Sequence, residues 1–358
     1  MEKATHSIHI VRRYGLVGGM ENYVVQLTLA LSSLGQRVTI LCELDEYANS
    51  HSGIRVVELG NAYKKPRWLA QWGFSQRVSH YLATYPDNEA IVHSHERTAN
   101  HHVTTFHGPP FLCRKKRALD FLSPRIHMWS YLERRELQRT QVQAILPNSP
   151  MIADQLIRLY PSVESKVLAP AYPGVTEEFS FIKRQSGDRL TIGFLGREWQ
   201  RKGLDIACLI VASLRELLPE VHFVVAGCDP QEVQLLFAGW PEESYTLAGW
   251  IKQPEQFLEK IDLLLHPARS EPFGMVVAEA NAAYIPVIVS EHCGVSALIG
   301  EKQGGVCSLN VEQPEIAHWV AVCYQWLAEK RAVSPLLLTW DKLAQQHIGL
   351  YQRLLSGR

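Results

Sequence analysis

Short apolar runs alternate along this chain with longer stretches of helical periodicity. Apolar runs that lack polar alternation belong to strands buried on both faces, which a parallel sheet covered by helices provides. In the first half the pattern predicts strands at His6–Val11, Val38–Cys42, Ile54–Glu58, Ala90–His93, Val103–Phe106 and Ala144–Pro147. Helices fit Glu21–Leu34, with Gly35 as a stop signal, then Leu69–Thr84, Pro124–Arg139 and Pro150–Leu159. The alternation restarts in the second half. Strands are expected at Leu190–Leu195, Val221–Ala226, Thr246–Ala248, Leu263–His266, Val287–Val289 and Val306–Ser308. Helices are expected at Leu204–Leu218, after Gly274, and at Thr339–Leu355, the last with an amphipathic pattern.

Between the halves, Pro170, Pro173, Gly174 and the polar stretch Lys183 to Arg189 read as a linker. The chain is therefore expected to be α/β, with two Rossmann-like doubly wound domains spanning residues 1–172 and 173–338. Its last helix, within 339–358, is expected to cross back onto the first domain. Sheets of this kind bind ligands outside the carboxyl ends of their strands, so a central cleft is expected.

Composition narrows the class. A chain of 358 residues can hold two such cores, and its 46% hydrophobic and 20% charged content is ordinary for a globular protein. No apolar run is long enough to span a bilayer, and the N-terminus enters a strand without a signal-peptide core. Seven scattered cysteines with no C-x-x-C pair point to a reducing cytoplasm and away from disulfides or structural zinc. Residues 1–172 carry 20 lysines and arginines against 14 acids, and the remainder 16 against 22. Lys64-Lys65-Pro66-Arg67-Trp68 and Arg114-Lys115-Lys116-Arg117 suit either an anionic bilayer or acceptor, or plain solvation. Basic stripes interleaved with aromatics, which would suit nucleic acid, are not evident.

Three βα turns carry candidate chemistry. Gly-Leu-Val-Gly-Gly-Met-Glu-Asn (15–22) joins the first strand to the first helix, where Gly18 and Gly19 allow close backbone approach to a ligand at a helix N-terminus. It is not G-x-G-x-x-G, so a nicotinamide cofactor is not indicated. Gly196-Arg197-Glu198-Trp199-Gln200-Arg201-Lys202-Gly203 follows the first strand of the second half. Its Arg197 and Lys202 could converge on a diphosphate, with Arg201 facing solvent. His266-Pro-Ala-Arg-Ser-Glu-Pro-Phe-Gly-Met-Val-Val-Ala-Glu places Glu271 and Glu279 on either side of a helix N-terminus whose amides suit a phosphate.

Histidines crowd at His93, His95, His101, His102 and His107, but no acidic metal-ligand spacing accompanies them, and no metal is expected. Thr104-Thr105-Phe106-His107-Gly108-Pro109 ends a strand, and His95 and Glu96 end the preceding one. Asn148-Ser149-Pro150 reads as an ordinary helix start. Gly249-Trp250-Ile251 follows a strand, and Trp250 could stack on a base or simply pack.

Taken in order, the glycine loop, the His107 strand end, the Arg197/Lys202 turn and the E-x7-E element resemble the retaining, GT-B-type glycosyltransferases of family 4, also called glycosyl transferases group 1. That resemblance covers nearly the whole chain. It implies transfer of a hexose from a nucleotide-diphosphate sugar, with UDP as the expected nucleotide, to an acceptor hydroxyl in lipopolysaccharide or another envelope glycan. Site residues follow from it. Arg197 and Lys202 would hold the pyrophosphate, and His107 would meet the hexose near its reacting carbon. Glu271 and the amides of Phe273, Gly274 and Met275 would hold sugar and phosphate, and Glu279 the ribose. Gly18 and Gly19 would approach the donor, Trp250 the nucleobase, and His95 with Glu96 would shape the acceptor pocket. Pro173 departs from the Asn the family places there.

No D-x-D triplet occurs, so no metal or other cofactor is expected. A glycan or glycolipid acceptor is the expected partner, at a cytoplasmic location with the inner membrane face as a possible docking surface. A nucleotide-sugar epimerase and a non-catalytic nucleotide-sugar-binding protein are the competing readings. A glucan phosphorylase would need a longer chain and a lysine-bound pyridoxal phosphate.

Overall fold

The computed structural model describes residues 4–47, 53–61, 65–114, 119–183 and 189–357. Two compact units emerge: Met1–Gly174 with Thr339–Arg358, and Val175–Leu338. Among the described residues no helix is long and apolar enough to cross a membrane. Lys64, Lys115, Lys116 and Arg117 of the two basic clusters lie outside the described residues, as does most of the polar stretch before Arg189.

The first unit contains β1 (His6–Ile10), β2 (Arg13–Tyr14), β3 (Arg37–Cys42), β4 (Leu44–Asp45), β5 (Ile54–Glu58), β6 (Ala90–Ser94), β7 (Val103–Phe106) and β8 (Ala144–Pro147). Six of them form a parallel sheet in the order β5-β3-β1-β6-β7-β8, while β2 and β4 pair separately. Its helices are α1 (Gly19–Ser33), α2 (Arg67–Thr84), α3 (Pro124–Gln138) and α4 (Pro150–Leu159). The strand order reverses at β1, which pairs with β3 on one side and β6 on the other. The turns leaving β1 and β6 therefore start side by side, the position where such sheets take ligands.

The second unit repeats the plan with β9 (Thr191–Leu195), β10 (His222–Ala226), β11 (Tyr245–Gly249), β12 (Leu263–His266), β13 (Val287–Ser290) and β14 (Gly304–Cys307). These lie parallel in the order β11-β10-β9-β12-β13-β14. The helices are α5 (Trp199–Lys202), α6 (Leu204–Arg215), α7 (Pro230–Val233), α8 (Pro254–Leu258), α9 (Met275–Ala282) and α10 (Ile316–Glu329). Here β9 is the reversal point, paired with β10 and β12. The Arg197–Lys202 turn after β9 and the Glu271 loop after β12 are thereby brought together.

Among the elements that differ from the sequence pattern, the last strand and α10 matter most for the second core. The last strand begins at Gly304, earlier than its apolar residues suggested, because the backbone of Gly304 packs directly against Val287, where a side chain would not fit. The helix α10 buries Trp319, Val320, Cys323, Trp326 and Leu327 in the second core, although no strand–helix alternation announced it.

The final helix, α11 (Trp340–Ser356), packs on α1 inside the first unit. Leu343, Ala344, Leu350 and Tyr351 join Tyr23, Val24, Leu27 and Leu31 in one apolar cluster. Thr339 caps the helix by accepting a hydrogen bond from the Lys342 amide. Leu343 is 3% exposed, so Leu343→Ala should lower stability by about 2–5 kcal/mol in urea unfolding. An unchanged midpoint would mean that α11 does not carry this part of the core.

Candidate active site

Lys202 stands at the centre of the polar residues in the second unit. It ends α5, and its aliphatic stem lies over Gly196, where a β-carbon would collide with it. The glycine thus makes room for the lysine to fold back across the turn. Its Nζ lies 3.3 Å from Oε2 of Glu271. The same oxygen is 3.3 Å from Nη1 of Arg201 and 3.7 Å from Nε2 of His266.

Burial alone would raise the carboxyl of Glu271, but His266, Lys202 and Arg201 outweigh it and hold the group at about 2. Glu271 is therefore a fixed anion. Its loop is tied down by a hydrogen bond from its own amide to the His292 carbonyl and by its carbonyl accepting from the Gly294 amide.

Glu279 lies in the second turn of α9 and faces the opposite situation. Burial and the nearby Glu255 raise its carboxyl to about 7, with Lys202 opposing them. The two acids of the E-x7-E element thus flank one ammonium in different protonation states. The helix between them begins at Gly274, whose φ of 102° and ψ of 61° lie in the left-handed region. A β-carbon there would also sit 2.6 Å from Sγ of Cys293. The amides of Val277 and Ala278 donate to the Gly274 carbonyl, which leaves Met275 in the turn where a helix supplies no acceptor of its own. Phe273 is buried, and its carbonyl accepts from the Val295 amide, which anchors the loop.

Arg201 departs from the sequence expectation that it faces solvent. Its guanidinium donates to Glu198, to the Ser270 carbonyl and to Glu271, and so locks the two loops together. Charge and a free position on the loop suggested solvent, whereas the β9–β12 pairing supplies acceptors that the sequence does not reveal. Arg197 is exposed, with its guanidinium 5.4 Å above the centroid of the Trp250 ring. That contact covers one face of a tryptophan that is 61% exposed. His266 carries no sequence-assigned role, yet it is fully buried beside Glu271 and neither ring nitrogen has a hydrogen-bond partner. Its place at the end of a strand, like that of His107, was the available signal.

In the first unit a cavity of about 280 Å³ is lined by His95, Glu96, Arg97, Phe106, His107 and Glu136 among others. Burial lifts Glu96 to about 7 against the pull of Arg12 and Arg97, and lifts Glu136 to about 8. Oε1 of Glu136 accepts from Thr104, whereas Oε2 is buried without a partner. Carboxyls raised towards neutrality, neutral imidazoles and an Arg97 paired with Glu133 give this cavity hydrogen-bonding walls, which suits a polyol. Gly18 and Gly19 form the exposed start of α1, and the carboxylate of Glu21 lies over Gly18. Asn148 donates to the His107 carbonyl, and Ser149 caps α4 by accepting from the Ile152 amide.

The histidine cluster has a different membership from the one the sequence suggested. His101 and His102 turn away, to the Glu136 carbonyl and the Val92 amide. His9 and His347 take their place around His93, His95 and His107. Ring nitrogens of His9, His93 and His95 lie within 4.8 Å of one another. Those nitrogens are committed to each other and to Ser7, Thr105, Tyr351 and His107.

The state of Glu279 has a consequence for stability. Between 4.5 and about 7 the folded chain keeps this proton and the unfolded chain does not, so the group makes stability fall as pH rises. Glu279→Gln removes that dependence. It should gain on the wild type by about 1–3 kcal/mol between acidic and neutral pH in urea unfolding. A difference between the two proteins that stays constant with pH would contradict the assignment.

Comparison with known proteins bears on the family and the fold. The family model for Glycosyltransferase Family 4 matches residues 17–179, and that for Glycosyl transferases group 1 matches residues 189–328. The lipopolysaccharide glucosyltransferase WaaG of Escherichia coli K12 is 26% identical over 193 residues. That match takes in 53% of this chain and spans about half of the relative's length, 49%. The D-inositol 3-phosphate glycosyltransferase of Jonesia denitrificans is 25% identical over 95% of this chain and 92% of its own. Among solved structures, WaaG superimposes with a TM-score of 0.72 at 17% identity, covering 98% of both chains. The Anabaena protein HepE, in complex with UDP-glucose, gives 0.64 at 15% identity, again covering 98% of both. Matched in both halves and alike in fold from end to end, the chain belongs to the group 1, family 4 glycosyltransferases, built on the two-domain GT-B fold.

Proposed function

We propose that the chain moves a hexose from a nucleotide-diphosphate sugar, a UDP-sugar first among them, to a hydroxyl of a glycan or glycolipid acceptor, with retention at the anomeric carbon. The observation that carries this reading is Lys202 of the β9 turn in contact with Glu271 of the β12 loop, 3.3 Å away and beside the N-terminus of α9, the helix that carries Glu279. An ammonium, a helix N-terminus and two carboxyl groups of unlike charge can serve a diphosphate and the hydroxyls on either side of it.

In this reading Lys202, Arg197 and the Met275 amide hold the leaving diphosphate, so that transfer needs no divalent metal. Glu271, already anchored by Arg201, accepts from hexose hydroxyls, and Glu279 takes the ribose hydroxyls. Trp250 offers the face not covered by Arg197 to the base. The diphosphate oxygen that leaves the sugar accepts the proton of the incoming hydroxyl, as the new glycosidic bond forms on the same face. His107 lines the cavity that would receive the acceptor, together with His95 and Glu96.

Envelope glycans are the proposed acceptor class, and lipopolysaccharide is the first candidate because the relative WaaG is named for it. An anionic inner-membrane surface is the proposed docking partner. Leu119, Phe121 and Leu122 are each more than 60% exposed beside Arg114, and this supports the idea of a surface that meets lipid.

Calorimetry with UDP-glucose, GDP-mannose and ADP-glucose tests the donor side. The UDP-sugar should bind most tightly, and Lys202→Ala or Glu279→Ala should weaken it at least about tenfold, or 1.4 kcal/mol. Donor affinity unchanged in both variants would overturn the site, and activity abolished by a chelator would overturn the metal-free mechanism.

A further inference from the structure

Three hydrogen bonds join the interior of the first unit to its cavity. Nε2 of His9 lies 3.2 Å from Oγ of Ser7, and Nδ1 of His9 lies 3.1 Å from Nε2 of His95. Nδ1 of His95 in turn lies 3.0 Å from Nε2 of His107. Strand alternation puts Ser7 and His9 on one face of β1, and His95, just past the end of β6, is tied to β1 by its amide donating to the Ile10 carbonyl. His9 and His95 each spend both ring nitrogens within this chain.

A neutral imidazole has one N–H and one lone pair, so such a chain can be polarised in only two senses. Burial keeps the rings neutral, pushing His9 and His107 to about 3 and His95 well below its usual range. The rings packed around them add no charge, and Arg97 of the cavity wall is paired with Glu133. His93 stacks on His95 with ring centroids 4.4 Å apart, but its nitrogens bond to Tyr351 and Thr105, so it lies beside the chain without interrupting it. His347 and Tyr351 on α11 and Tyr23 on α1 are buried and shifted towards their neutral forms.

The Ser7 hydroxyl selects between the two senses. Ser7 is 1% exposed, and a buried hydroxyl proton left without an acceptor is costly. If Ser7 donates to Nε2 of His9, then Nδ1–H of His9 donates to His95, and Nδ1–H of His95 donates to Nε2 of His107. The remaining proton of His107 then sits on Nδ1. The opposite sense strands the serine proton. With Nε2 engaged, Nδ1 is the nitrogen that His107 has left for a ligand.

We propose that Ser7, His9 and His95 are positioning residues that hold His107 in the Nδ1–H tautomer, as a neutral hydrogen-bond donor to an oxygen of the bound sugar or phosphate. His107 therefore does not serve as a base at that atom, and Ser7 governs it from three hydrogen bonds away. The inference rests on the reading that His107 meets the substrate, but its test requires no substrate.

Long-range proton–nitrogen correlation spectra of protein labelled with ¹⁵N-histidine, assigned with His107→Gln, report the tautomer directly. Wild-type His107 should carry its proton on Nδ1 throughout about pH 6–8. His9→Phe keeps a ring in place but removes both nitrogens, and a second, Nε2–H population of His107 should then appear. Ser7→Ala, which deletes one buried atom, should move His107 the same way and serves if the phenylalanine variant does not fold. A wild-type His107 protonated on Nε2, or a tautomer unaltered by severing the chain, overturns the proposal. Neither result would touch the donor assignment, and failure of UDP-glucose to bind would leave the relay standing.

Discussion

One ammonium between two carboxyl groups organises the polar centre of the second unit. Glu271 remains ionised despite burial because Lys202, Arg201 and His266 converge on a single oxygen. Glu279 lacks that concentration of positive charge and keeps its proton to about 7. Seven residues of chain separate two chemically identical side chains whose environments push them apart, which is how one loop and the helix after it can present an anion and a neutral acid together. Gly196 and Gly274 are the backbone cost of this arrangement, one clearing space for the lysine stem and the other starting α9 in a left-handed conformation.

Fold and site are linked by strand order. Each sheet reverses direction at its first strand, β1 or β9, so the turn leaving that strand lies next to the turn leaving β6 or β12. Residues far apart in sequence, such as Lys202 and Glu271, meet for that reason alone. The first unit uses the same geometry differently. Its switch point gathers histidines and buried acids that burial keeps uncharged, in contrast to the ion pairs of the second unit.

Much of this was legible in the sequence where a physical signal is local. Strands buried on both faces betray themselves as apolar runs, and Val103–Phe106, Ala144–Pro147 and Leu263–His266 have the ends the pattern predicts. Gly304 and Gly305 give no such signal, because what fits them to the strand is what they pack against, the backbone of Val287 for Gly304 and the side chains of Val322 and Ile288 for Gly305. The two-residue ladder of β2 and β4 is too short to show a period. Side-chain direction in loops was the least accessible feature. Arg201 looked like a solvated charge beside Lys202, and only the β9–β12 pairing shows where its acceptors are. His9 drew no attention inside a strand, and His266 drew none as the last residue of one. Both matter through neighbours that come from other strands.

The account stands or falls on the unequal states of the two glutamates, and a ¹³C carboxyl titration of the glutamate side chains by NMR measures them directly. Glu279 should titrate with a midpoint near 7, while Glu271 stays ionised down to about 2, and replacing Lys202 by methionine should move both midpoints upward. Two carboxyls that titrate together near the ordinary value of 4.5, in the wild type and in the variant alike, would contradict it.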